Sequence, residues 1–152
     1  MVKVRKFRND LLSFSKVGLD SMVFIYQFAD NPRYSSLTNV VMDLLGKKKI
    51  KAVTSTISVI ETLVKPEEEE DMAILSEYEN VFQHLPHLKI IPVDWPLSRL
   101  AAKLRGRYPK IRVPDAIQVS AALLEDCPVF LTNDSQLKKI REIKVVLLKD
   151  YL

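Results

Sequence analysis

The chain has one cysteine in 152 residues, Cys127, so an intramolecular disulfide is impossible and a reducing, cytoplasmic setting is expected. No stretch reaches the roughly 18 consecutive apolar residues that a membrane helix needs, which excludes a membrane partner of that kind. There is no internal repeat, and the only biased run is the acidic one from Glu67 to Asp71, read as the start of a solvated helix. The first sixteen residues are basic but lack an uninterrupted apolar core and a small-residue cleavage site, which argues against a secretory signal. His84 and His87 have a spacing seen in metal sites, yet Pro86 separates them and no cysteine lies nearby, so zinc is not expected.

With 47% hydrophobic residues, the chain can bury the core of one compact domain. Its formal charge is only +4, but setting four carboxylates aside leaves 23 bases against 15 acids, a balance of +8 on the rest. Those four are Asp20 in VGLDSMVF, Glu61 in ISVIETLV, Asp115 in VPDAIQVSAAL and Asp134 in VFLTNDSQL. Each stands beside a run of Val, Ile, Leu, Phe or Ala, where desolvating a charge is costly without compensation. If the fold gathers them, two carboxylates about 5 Å apart repel by roughly 3 kcal/mol at an effective dielectric near 20, and a divalent ion is the simplest remedy. An acidic spot in a basic surround suits a polyanionic substrate.

Short β-like runs alternate with helical ones. Strands are expected near Val17 to Leu19, Ile50 to Thr54, Leu88 to Val93, Val129 to Leu131 and Ile143 to Leu148. Helices are expected from Ser21 to Ala29, through Leu37 to Leu45 and after a cap at Ser55 or Thr56. Further helices carry Leu75 to Leu85, Leu97 to Leu104 and the segment opening at Pro114, with a short one after Asp134. Arg105 to Pro109 reads as a basic break, and Asp94 and Pro96 as helix-entry residues. Strands separated by helices imply parallel pairing and a three-layer α/β domain over residues 17–152, preceded by a basic arm, residues 1–16. In that arm Phe7, Leu11, Leu12 and Phe14 are expected to pack on the domain or a second subunit, while Lys3, Arg5, Lys6 and Arg8 offer a nucleic-acid contact.

Open parallel sheets bind ligands beyond the carboxyl ends of their strands, where Asp20 and Asp134 fall. Asp115 lies in the first turn of a helix whose dipole helps keep it ionised, and alone would also fit a helix-terminus carboxylate. Ser58, Glu61, Thr62 and Lys65 form a polar stripe that either faces solvent or lines a cleft. Ser21, Thr132 and Asn133 are either turn residues or donors to a phosphate or a metal-bound water. Arg105, Arg107, Lys110 and Arg112 are either an exposed basic loop or an RNA-binding set beside the site. Trp95 reads as a packing or dimer-contact residue.

Taken together, Leu19-Asp20-Ser21, Ser58 with Glu61, Pro114-Asp115-Ala116 followed by Ala121-Ala122-Leu123, and Thr132-Asn133-Asp134 resemble the PIN-domain nucleases, most closely the VapC-type toxins of toxin–antitoxin pairs. The likeness runs from about Val17 to Leu148. It implies an α/β/α sandwich with a five-stranded parallel sheet, and an acidic quartet of Asp20, Glu61, Asp115 and Asp134 that is both catalytic and metal-binding. Ser21, Thr132 and Asn133 would support that quartet, the cofactor would be Mg2+ or Mn2+, and the activity would be hydrolysis of RNA to a 5′-phosphate product. A toxin of this kind implies a homodimer and a small antitoxin that blocks the cleft; the alternatives are an RNA-processing factor or a non-catalytic RNA-binding domain. Two features depart from the pattern. Sixteen residues precede the first strand, and Ser135, Gln136 and Leu137 stand where some members carry a further acid.

Overall fold

A computed structural model describes residues 2–152. Five strands, β1 (Lys16–Leu19), β2 (Lys51–Ser55), β3 (Leu88–Ile91), β4 (Val129–Thr132) and β5 (Lys144–Leu147), form one parallel sheet in the order β3-β2-β1-β4-β5. Seven helices connect or flank them among the described residues: α1 (Val2–Phe14), α2 (Ser21–Phe28), α3 (Ser35–Gly46), α4 (Thr56–Glu68), α5 (Met72–His84), α6 (Trp95–Arg107) and α7 (Val113–Leu124). Single 3-10 turns follow β4 (Ser135–Lys139) and β5 (Leu148–Tyr151). None of these helices is long and apolar enough to cross a membrane.

Alternation along the strands divides the core into two layers. Val17, Leu19, Ala52, Val129, Leu131 and Val146 face the first, with Phe7 and Leu11 of α1, Val23 and Phe24 of α2, and Leu37, Val41, Leu44 and Leu45 of α3. Val53 and Phe130 face the second, which is filled by Leu97, Ala101 and Leu104 of α6 and Ala116, Val119, Ala121 and Ala122 of α7. The sandwich is therefore α/β/α. Gly18 faces α7, whose Ala122 leaves no room for a side chain there: a Cβ on Gly18 would meet the Ala122 Cβ at 2.5 Å.

Residues 2–14 form a helix that contributes to the first core layer. Phe7 and Leu11, one turn apart, are buried, Arg8 Nη1 donates to Asp43 Oδ2 of α3 at 2.9 Å, and the Tyr151 hydroxyl donates to Asp10 at 2.6 Å. Phe14 is half-buried, but Leu12 turns outward.

Several elements differ from the sequence reading. β3 stops at Ile91 because Pro92 has no N–H for a ladder. The basic stretch from Arg105 to Pro109 does not break the chain: α6 continues through Arg107, and Tyr108 caps it with an N–H to the Leu104 carbonyl at 2.9 Å. Glu67 and Glu68 end α4 rather than start a helix, and the helix that follows is capped by Asp71, which accepts the N–H of Ile74 at 3.1 Å. Trp95 opens α6, 81% exposed, and so does not pack within the domain.

Candidate active site

Strand order reverses direction between β1 and β4, since the chain builds outward from β1 through β2 to β3 and then returns to add β4 and β5 on the other side. A crevice opens at the carboxyl ends of strands at such a point. Asp20 and Thr132 sit there together. The Asp20 backbone N–H continues the ladder to the Leu131 carbonyl at 3.0 Å, which directs its side chain to the rim. Its Oδ1 accepts the Ser21 N–H at 2.8 Å, capping α2, and its Oδ2 accepts the Thr132 hydroxyl at 2.7 Å.

Asp20 is 4% exposed. Burial pushes its pKa up to about 6, and although the bonds from Thr132 and the Ser21 N–H pull it down, the Asp115 and Glu61 carboxylates raise it further. Charge on Asp115 and Glu61 is thus felt at Asp20. Asp115, 7% exposed in the first turn of α7, takes Arg112 Nε on Oδ2 at 3.1 Å and Nη2 on Oδ1 at 3.4 Å. The Arg112 pKa is raised first by this pair and then by the charges of Glu61 and Asp134, so Arg112 feels three of the four carboxylates. Asp134, half-buried, caps the 3-10 turn after β4 by accepting the Gln136 N–H at 2.9 Å, and its own N–H donates to Thr132 Oγ1 at 3.1 Å.

Glu61 stands at the rim of α4 with Oε1 accepting the Ser21 hydroxyl at 2.8 Å. Ser58 and Thr62 of the polar stripe are buried and Lys65 is exposed, so the stripe lines a cleft along one side and meets solvent on the other. Beneath it lies a network that the sequence reading missed. Gln118 of α7 accepts the Ser55 hydroxyl at 2.6 Å through Oε1, and donates through Nε2 to Ser21 Oγ at 2.8 Å and Ser58 Oγ at 2.7 Å. Thr54 donates to the Leu19 carbonyl at 2.9 Å and lies 2.6 Å from Ser58 Oγ. Gln118 is buried three residues beyond Asp115, and that i, i+3 spacing in a helix otherwise free of long polar side chains was the available signal.

The basic set does not act as a unit. Only Arg112 reaches the carboxylates; Arg107 pairs with Glu142 at 2.7 Å, Lys110 is exposed with no carboxylate contact among the described residues, and Arg105 is half-buried between α6 and α7, its Nε without a partner. Asn133 is likewise turned away, accepting the Lys149 N–H at 3.0 Å and donating to the Tyr26 hydroxyl at 3.4 Å.

As the side chains lie, no three His, Cys, Asp or Glu groups among the described residues stand close enough to share one ion. Asp115 is paired with Arg112, and Glu61 Oε1 accepts the Ser21 hydroxyl. The donor set nevertheless fits a hard divalent cation. It is entirely oxygen, and Asp20 carries the unfavourable burial and like-charge repulsion that a cation would relieve.

Residues 17–143 match the PIN domain family. No curated protein matches the chain. Among solved structures, the chain is similar to VapBC2 from Rickettsia felis bound to a DNA fragment from its promoter, with a TM-score of 0.67 and 18% identity over 87% of this chain and 98% of that one. A toxin–antitoxin complex from Klebsiella pneumoniae gives 0.63 and 18%, covering 88% and 98%. FitAcB from Neisseria gonorrhoeae gives 0.64 and 17% over the same shares. At these identities the likeness shows the fold.

Proposed function

The chain belongs to the PIN-domain family, and from that premise we propose that it is a Mg2+- or Mn2+-dependent endoribonuclease, the toxin of a type II toxin–antitoxin pair acting in the cytoplasm. The observation that carries this reading is Asp20: a buried carboxylate at the β1/β4 switch point, pushed up to about 6 by burial and by two further acids. At neutral pH it is ionised, and a bound cation would relieve its burial and the repulsion from the two neighbouring acids.

Asp20 and Asp115 are the ligands we assign to the ion. A divalent ion bound there supplies charge neutralisation for the phosphoryl oxygens and acidifies a water molecule. The chain's own groups do the rest. Thr132 and the Ser21 N–H fix the Asp20 carboxylate in one orientation, and the Ser21 hydroxyl does the same for Glu61 Oε1. Glu61 Oε2 and Asp134 Oδ2 have no partner among the described residues; they orient the attacking water and take its proton, while the 3′ oxygen leaves in line and takes a proton from bulk water to become the 3′ hydroxyl. Arg112, released from Asp115, receives a phosphate of the RNA.

An antitoxin has a place to lie. A groove of about 290 Å3 between α2, α4 and α5 is lined by Ile25, Phe28, Pro66, Ile74 and Tyr78 and shares Glu61 with the carboxylate site, and it is the seat we assign to an antitoxin peptide. For a homodimer, exposed Val113 lines the recess between α6 and α7, and exposed Trp95 opens α6.

End-labelled transfer RNA and a matched single-stranded DNA, incubated with Mg2+ or Mn2+, with EDTA and with Asp115→Asn, test the activity. Discrete RNA cuts that vanish with EDTA and in the variant are expected. The separation of the carboxylates favours a second reading, a non-catalytic RNA-binding domain. Absence of cleavage by the wild type despite measured RNA binding would point instead to that reading or to a narrower RNA target.

A further inference from the structure

The end of the sheet opposite the carboxylates is built from lysine. β1 and β2 begin on Lys16 and Lys51, and the parallel register sets these two side by side. β5 begins on Lys144, β3 carries Lys89 as its second residue, and Lys47, Lys48 and Lys49 lead from α3 toward β2. Lys16, Lys51 and Lys89 line, with His87 and Glu125, a recess of about 360 Å3.

Adjacent strands lie about 4.8 Å apart, and like charges directly opposite on them are destabilising. Some of the lysines are answered: Lys47 by Asp43 at 3.1 Å, Lys89 by Glu125, and Lys144 by the ring of Phe14 at 5.2 Å. Lys16, Lys48, Lys49 and Lys51 have no carboxylate within 4.0 Å among the described residues. Helices that return from a parallel sheet end at this side, and cations complement their C-terminal dipoles. That accounts for Lys47 to Lys49 after α3. It also reaches Lys16, two residues past the end of α1, but it does not account for Lys51, a strand residue five positions beyond α3 that the register sets beside Lys16.

We propose that this lysine end is a second contact for the phosphodiester backbone of the substrate RNA. The two ends of the sheet are separated by strands of four to five residues, about 13 to 17 Å, so one RNA that touches both must run along the side of the domain for at least that distance. The RNA backbone is thus gripped by charge at one end of the domain and cut at the other. This inference rests on the RNA reading above.

Fluorescence anisotropy in EDTA, where no cutting occurs, tests it with a transfer RNA transcript and a short single-stranded RNA as probes. Lys16→Glu/Lys51→Glu should weaken transfer RNA binding about tenfold and lower the slope of log K against log salt by about two, while the short oligomer binds as before. Lys16→Arg/Lys51→Arg should bind like the wild type. Should the charge reversal unfold the protein, Lys16→Gln/Lys51→Gln carries the same expectation for the slope. Unchanged transfer RNA affinity and slope in a folded variant would overturn the proposal, leaving the lysines to the helix ends alone. Loss of affinity for phosphatidylserine vesicles without loss for RNA would overturn it in favour of a membrane surface. The two readings fail separately: lysine-dependent binding without cleavage in Mn2+ removes the nuclease and keeps this contact, whereas cleavage with lysine-independent binding does the reverse.

Discussion

Gln118 Nε2 lies 2.8 Å from Ser21 Oγ and 2.7 Å from Ser58 Oγ, while its Oε1 holds the Ser55 hydroxyl at 2.6 Å. One side chain of α7 thereby joins the starts of α2 and α4, and through Ser21 it aims Glu61. Gln118→Leu leaves these hydroxyls buried without their partner, at a cost of about 1–3 kcal/mol. Urea unfolding should show that loss. Cleavage should fall in kcat more than in KM, because the carboxylate is mis-aimed while the RNA contacts persist; equal losses in both would place Gln118 in the scaffold alone.

Asp20 links stability to pH. Folding raises its pKa from 3.8 to about 6, so between those values the folded chain holds a proton that the unfolded chain has lost. Stability therefore falls as pH climbs through that window, by up to about 3 kcal/mol, and levels off above it. Asp20→Asn carries no such charge. In EDTA, thermal melts should find the variant more stable than the wild type at pH 7 and the two converging at pH 4. A wild type whose stability does not fall between pH 4 and 7, relative to the variant, would refute the burial cost.

The layers, the parallel strands and the placement of Asp20 and Asp134 at strand ends were legible because they follow from period and from the position of polar residues at strand ends, whereas the strand order was not read from the sequence. Val17 and Leu19 alternate with Gly18, and Val129 and Leu131 with Phe130, so each strand announced two faces. What was not legible depended on partners far away in sequence. The spacing of Gln118 from Asp115 marked it as a polar residue on the site's face, but its partners Ser21, Ser55 and Ser58, the first of them 97 residues away, could not be read locally. Asn133 looked like a site residue but spends its amide on Lys149 and Tyr26. The run from Arg105 read as a break because its cations resemble a loop, yet Leu104 continues the apolar stripe of α6 and packing decided the matter.

Arg112 and a divalent cation compete for Asp115. The Arg112 side chain is 71% exposed, so its pair with Asp115 is screened by water and is worth only about 0.2–1 kcal/mol. Arg112→Ala should accordingly tighten Mn2+ binding about two- to fivefold by calorimetry, and weaken RNA binding in EDTA. Weaker Mn2+ binding in the variant would mean instead that Arg112 holds Asp115 in position to receive the ion.

Gly18 fixes how closely α7 approaches β1, and with it the height of Asp115 and Gln118 above the strand end. A methyl group there would lie 2.5 Å from Ala122 Cβ and 3.0 Å from the Phe130 ring. The phenyl ring can shift, but the Ala122 Cβ is fixed to the helix backbone, so α7 must move. Gly18→Ala should destabilise by about 1–3 kcal/mol, as overpacking does. It should also lower cleavage in the fraction that remains folded, measured at a temperature below the melt. Pairing it with Ala122→Gly should recover stability if contact between these two positions is the cause; no recovery would point to the ring.

The family match begins at residue 17, but the core does not. Phe7 and Leu11 are 1% exposed, Phe7 packs on the Tyr151 ring at 4.9 Å, and the Tyr151 hydroxyl donates to Asp10, whose carboxyl pKa is held below the ordinary range chiefly by that bond. A chain starting at Ser15 would uncover the α3 surface and the last turn. Each large apolar side chain removed forfeits about 1.5–3 kcal/mol of burial, so the deletion takes away a sizeable part of the 5–15 kcal/mol that an ordinary domain has. Leu11→Ala alone should cost about 2–5 kcal/mol in urea unfolding, and the deletion should express as an aggregating or partly unfolded protein. Normal stability in the truncated chain would show that α1 is an appendage laid on a complete domain. A loss equal to that of Leu11→Ala would mean that the helix contributes through this one contact.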